Sequence, residues 1–118
     1  MFKVEGFQIT MTRGDTGAFK ATMTGYTFGE DDRVLFTVKS ADGTVVKQGA
    51  YHPDENGQFT VYFTNEETDY LTPGAYSWDF RVVIHPYYDD DGNITSGVHV
   101  HTPTLPQTLT LLPAVGDI

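Results

Sequence analysis

A two-residue alternation of apolar and polar side chains recurs along nearly the whole chain, and it restricts the choice of fold more than any other feature. Phe7, Ile9 and Met11 alternate with Gln8, Thr10 and Thr12, and Phe19, Ala21 and Met23 alternate with Lys20, Thr22 and Thr24. Val34, Phe36 and Val38 repeat the pattern, as do Phe59, Val61 and Phe63. Side chains on a strand point to opposite faces in turn, so this period marks strands with one buried face. Thr44 to Tyr51 is β-branched but alternates less cleanly, which predicts an edge strand. The longest stretch, Ala75 to His85, puts Tyr76, Trp78, Phe80, Val82 and Ile84 on one face and is the candidate central strand. Ile94 to His101 and Thr108 to Leu112 complete the set, about eight strands in all. No apolar stripe recurs at i, i+3, i+4 and i+7 over helical length, although Asn65 to Tyr70 has room for a single helical turn.

Turn chemistry separates these runs. Ala41-Asp42-Gly43, Glu55-Asn56-Gly57 and Asp91-Gly92-Asn93 carry the Asp-Gly and Asn-Gly pairs that tolerate positive φ, and Thr72-Pro73-Gly74 joins a fixed φ to a permissive residue. Two prolines within His101-Thr102-Pro103-Thr104-Leu105-Pro106 forbid a central strand there and predict a crossing loop or an edge. Strands punctuated at such short intervals argue for a sandwich or barrel and against βαβ units.

Composition narrows the function classes. The 118 residues suit one domain with one core, and 8 Phe, 7 Tyr and 1 Trp make the chain too aromatic for a disordered acidic tail. With 7 Lys+Arg against 16 Asp+Glu, the net charge of −9 leaves little to neutralise phosphates, so neither nucleic acid nor an anionic membrane is an expected partner. The absence of Cys excludes disulfides, thiolate zinc sites and cysteine nucleophiles. No apolar run spans a bilayer, and MFKVEGFQIT lacks a signal peptide's apolar stretch, which predicts synthesis and first use in a cytoplasm.

One local arrangement points to a particular sandwich. In immunoglobulin-type domains a Tyr near the start of the sixth strand ties down the preceding corner, two residues before a position that pins the core. Tyr76 in Leu71-Thr72-Pro73-Gly74-Ala75-Tyr76-Ser77-Trp78 matches that corner, and Trp78 stands where a disulfide would otherwise fill the space between sheets. Ile9 to Thr16, Val34 to Val38, Gly57 to Val61 and Leu71 to Phe80 together resemble the small immunoglobulin-like domain of phage and prophage tail proteins of Gram-positive bacteria, typified by the N-terminal part of baseplate upper proteins. The resemblance covers roughly residues 7 to 112 and rests on an Arg13-Gly14-Asp15-Thr16 segment, a Val34-Leu35-Phe36-Thr37-Val38 strand and the Gly74-Ala75-Tyr76-Ser77-Trp78-Asp79 strand. It implies a structural role in a virion, assembled in the bacterial cytoplasm.

Candidate sites each have a plain structural alternative. Arg13-Gly14-Asp15 is the tripeptide that integrins bind at an exposed loop tip, yet it lies at a strand exit, where a structural turn explains all three residues. Asp89, Asp91 and Asn93 begin an EF-hand spacing, but Ile94 takes the place of its Gly and Val100 that of its Glu, so a solvated acidic tip is the simpler reading. His99 and His101 share one strand face, and a hairpin across Pro86 to Asn93 brings His85 near His99, all three pointing away from the core. Such a trio suits Zn²⁺ or Ni²⁺ with an open water position, while exposed histidines need no metal at all. Ser40, Ser77 and Ser96 lack a nucleophile-elbow context, and the paired acids Asp31-Asp32 and Glu66-Glu67 fall in predicted loops with no apolar setting to raise a pKa. Outward Tyr62, Tyr87 and Tyr88 suit sugar faces or protein partners.

The expectation is therefore an all-β, immunoglobulin-like β-sandwich of about seven to eight antiparallel strands forming one domain over residues 1–118. It is expected to be non-enzymatic and without a cofactor. Its expected partners are copies of itself or other phage structural proteins, met through packing and strand edges. A carbohydrate-binding or surface-adhesion module is the alternative.

Overall fold

The computed structural model describes residues 1–103 and 105–114. Its elements are β1 (Phe2–Glu5), β2 (Gln8–Thr12), β3 (Gly17–Thr22), β4 (Arg33–Lys39), β5 (Val45–Tyr51), β6 (Gln58–Phe63), α1 (Asn65–Asp69), β7 (Gly74–Tyr88), β8 (Ile94–His101) and β9 (Gln107–Leu112). The architecture is an all-β sandwich. A large sheet runs β1-β2-β9-β7-β4-β5, with β8 also on β7, and a two-stranded sheet β3-β6 packs on its inner face. The edge position of β5 and the single helical turn of α1 agree with the alternation and spacing of the sequence.

Three expectations need correction. There are nine strands among the described residues, because Phe2–Glu5, whose apolar and polar alternation is only four residues long, pairs with β2 as a hairpin strand. The pairing is not wholly antiparallel: β2 runs parallel to β9, Ile9 opposite Leu109 and Met11 opposite Leu111. Only a contact between opposite ends of the chain creates that pair, so no local pattern announces it. Phe7, expected on the buried face, is 57% exposed, because it sits in the turn between β1 and β2.

The alternating rows build the core. Val34, Phe36 and Val38 of β4 lie opposite Val82, Phe80 and Trp78 of β7, so both strands present their buried faces together. Phe36 is fully buried, with the rings of Phe19, Phe63, Trp78 and Phe80 all 5.4–5.9 Å from its own, distances at which tilted and edge-on aromatic pairs attract. Trp78 Nε1 has no hydrogen-bond partner among the described residues, and the rings of Phe19, Phe36 and Phe80 pack against the indole. The corner closes as expected: the Tyr76 hydroxyl donates to the Thr72 carbonyl at 2.5 Å, and burial pushes the phenol above its ordinary pKa. Below the corner, Glu67 accepts from the Thr64 N–H and pairs with Lys47, whose Nζ lies 5.0 Å above the Phe63 ring.

Three turns share one design. The residues 40–44, 54–58 and 89–93 each close with a backbone bond from the first N–H to the last carbonyl and place a positive-φ glycine fourth, at Gly43, Gly57 and Gly92. Asp54 and Asp89 accept from the N–H groups two and four residues on. Because only the glycines have positive φ, these are type I turns with a glycine bulge, not the mirror-image two-residue turns that Asn-Gly alone suggests.

The long β7 organises the large sheet. Its first part pairs with β9 from Gly74 to Trp78, its middle with β4 from Ser77 to Val83, and its last part with β8 from Val82 to Tyr88. Since Val82 and Val83 pair with β4 and β8 at once, β8 lies on the same edge of β7 as β9, and residues 102–103 and 105–106 cross between them. Past Val83, β7 and β8 form a two-stranded arm ending in the 89–93 turn.

Candidate functional site

The predicted metal trio does not assemble. His99 and His101 share a face, their rings 6.1 Å apart, but the register sets Ile84 opposite His99 and Val82 opposite His101. The pair therefore lies on the core side of the sheet and not, as expected, on the outer one, exposed there with the His101 ring 6.3 Å from that of Tyr26. Among the described residues His85 forms no strand bridge, between the Ile84–His99 and Pro86–Gly97 pairs. It takes φ of 49° where the arm leaves the sandwich, and its N–H donates to Asp32 Oδ1 at 3.0 Å. Among the described residues no three His, Asp or Glu side chains gather as metal ligands.

Asp32 is the residue the sequence concealed. It is 4% exposed, and its other carboxylate oxygen accepts from the Gly29 N–H at 2.6 Å. Burial acts to raise its pKa, but the two backbone donors, with His85 and His52 nearby, outweigh that and hold it below 3.8. Its role is to anchor the root of the arm to the loop before β4. The only signal for it is an acid directly ahead of an apolar strand.

The other motifs resolve as structure. Gly14, with φ of 83°, donates its N–H to Thr68 Oγ1 and receives Asn65 Nδ2 on its carbonyl, so Arg13-Gly14-Asp15 is a turn held against α1. Asp89 spends an oxygen on its own turn. Tyr62 stands on the small sheet, while Tyr87 and Tyr88 stand on the arm of the large one.

Two surfaces carry binding potential. The first is an apolar cleft of about 350 Å³. The β1–β2 hairpin forms one wall through Val4, Phe7 and Ile9, the consecutive residues Lys20 to Thr24 form the other, and Trp78 and Phe80 also line it. Beside it, β3 pairs with β6 alone among the described residues, so its other edge has no strand partner there. On the inner face at the start of β3, Phe2 lies so tightly over Gly17, opposite Phe63, that a Cβ there would fall 2.2 Å from the ring.

The second surface is the outer face of the large sheet. The registers place Lys3, Glu5, Thr10, Thr110, Ser77, Asp79, Arg81, Arg33, Thr37 and Lys39 on it together. Four cations meet two carboxylates, a local balance of +2 in a chain of net −9. Arg81 lines two adjoining grooves, of about 240 Å³ with Leu35, Gln48 and Val100, and of about 200 Å³ with Lys39, Asp79 and Pro106.

In comparison with known proteins, the chain matches no family model, no curated protein and no solved structure.

Proposed function

We propose that this chain is a non-enzymatic assembly module that acts through protein–protein contacts. The setting we propose is the one its sequence resemblance implies, the tail or baseplate of a phage or prophage virion. The observation that carries the reading is the unpaired β3 edge beside the aromatic-lined cleft. An open edge offers a row of backbone donors and acceptors, and an extended segment laid along it as an added strand places every second side chain into the adjoining pocket. Exposed Phe7 at the cleft wall adds apolar area that a partner covers. Tyr62 lies on the small sheet and Tyr87 and Tyr88 on the arm of the large one, whereas a sugar-binding module would gather such rings on one flat platform.

Mass spectrometry of purified particles induced from the source strain tests this. The chain is expected in stoichiometric amount with the tail fraction. A Phe7→Asp variant that retains its melting temperature is expected to be depleted from particles. Particles that lack the wild-type chain overturn the reading.

A further inference from the structure

Charge in this molecule is divided by place. The turns, the loops and α1 hold most of the acids: Glu30, Asp31 and Asp32, Asp54 and Glu55, Glu66, Glu67 and Asp69 of α1, and Asp89 to Asp91. The outer face of the large sheet is the reverse, and Lys39 and Arg81 stand exposed there with no ion pair among the described residues. An acidic protein that concentrates cations on one flat, threonine-rich sheet face presents a surface complementary to its own acidic tips.

The arm supplies such a tip. Asp89 binds its own turn through Oδ1, while Asp90 and Asp91 are exposed. Tyr87 and Tyr88, each more than half exposed, flank the acids and give rings that bury area at little entropic cost. The grooves on either side of Arg81 provide matching relief, with Leu35 and Val100 for apolar contact and Thr37, Gln48 and Ser77 for hydrogen bonds. Resting on the assembly reading above, we propose that the arm tip of one copy, Asp90 and Asp91 with Tyr87 and Tyr88, docks on the Arg81–Lys39 face of a second copy. Tip and face are different patches, so one such contact leaves a tip and a face free, which can close reciprocally in a two-fold pair or take up further copies. Repetition produces a ring or a filament.

Sedimentation velocity on the full chain at low and high salt tests this, using Arg81→Glu and the double variant Asp90→Lys, Asp91→Lys. All three positions are exposed, and near-ultraviolet circular dichroism from Trp78 verifies that each variant folds. The wild type is expected to associate with rising concentration and to dissociate in salt. Each variant alone is expected to weaken association about tenfold or more. An equimolar mixture of the two is expected to restore complexes, because the intact tip of one meets the intact face of the other. A wild type that stays monomeric at low salt, or association unchanged in either variant, overturns the proposal. So does a mixture that fails to form complexes. A monomeric chain still recovered in purified particles overturns this contact alone, whereas absence from particles removes the assembly reading itself.

Discussion

Asp32 shows how one residue couples two distant parts of the chain. Its carboxylate satisfies the N–H of Gly29, three residues back, and that of His85, 53 residues on. Removing it leaves two donors without their acceptor in a part-buried site, so Asp32→Ala is expected to cost about 3 kcal/mol of unfolding free energy in urea titration. The same site sets an acid-side dependence. The folded carboxyl binds its proton less readily than the unfolded one, whose value is 3.8, so its contribution is complete above that value and drains away as the pH falls through the lower folded value. Melting temperature measured from about pH 5 down to about pH 2 is expected to fall less steeply in Asp32→Asn than in the wild type. An equal slope in both rejects the assignment.

At the scale of elements, the three glycine-bulge turns lead into β5, β6 and β8, yet they are not equivalent. Gly43 and Gly57 both have positive φ, a conformation that costs an alanine about 1–2 kcal/mol. A Cβ on Gly43 meets open space, whereas one on Gly57 would lie 2.3 Å from the Met23 carbonyl oxygen. That oxygen belongs to the backbone next to the Met23 N–H to Gly57 carbonyl bond, so it cannot swing aside without loosening the entry to β6. Gly43→Ala is expected to lower stability by about 1 kcal/mol and Gly57→Ala by roughly twice that or more, as read from denaturant midpoints at unchanged m-value. Equal losses would mean that the close approach is relieved without cost. Both positions were legible as turns because Asp-Gly and Asn-Gly act locally. The distinction between them was not, since Met23 approaches Gly57 only when β3 packs beside β6.

For the whole molecule, the long axis of 46 Å against 22 Å for the short one reflects a packed sandwich joined to a thinly covered arm. In β4 four side chains are buried and both edges are paired, whereas β8 has no buried residue and one partner strand. Hydrogen exchange is therefore expected to protect the amides of Val34, Phe36 and Val38 at close to the global stability, while those of β8 exchange through local opening. Equal protection in the two strands would show that the arm is covered in solution, and dilution then tests whether a second copy covers it.

The sequence by itself determined eight of the nine strands, the places of the turns and the inward row of Tyr76, Trp78 and Phe80, because a two-residue period and glycine turn chemistry act between near neighbours and need no knowledge of the partner. Tertiary structure alone decided the rest. The parallel β2–β9 pair, the burial of Asp32, the register that passes over His85, the open β3 edge and the gathering of cations on one sheet face all depend on which distant strands come to lie side by side. That choice is made by the burial and pairing of whole faces, not by any local segment.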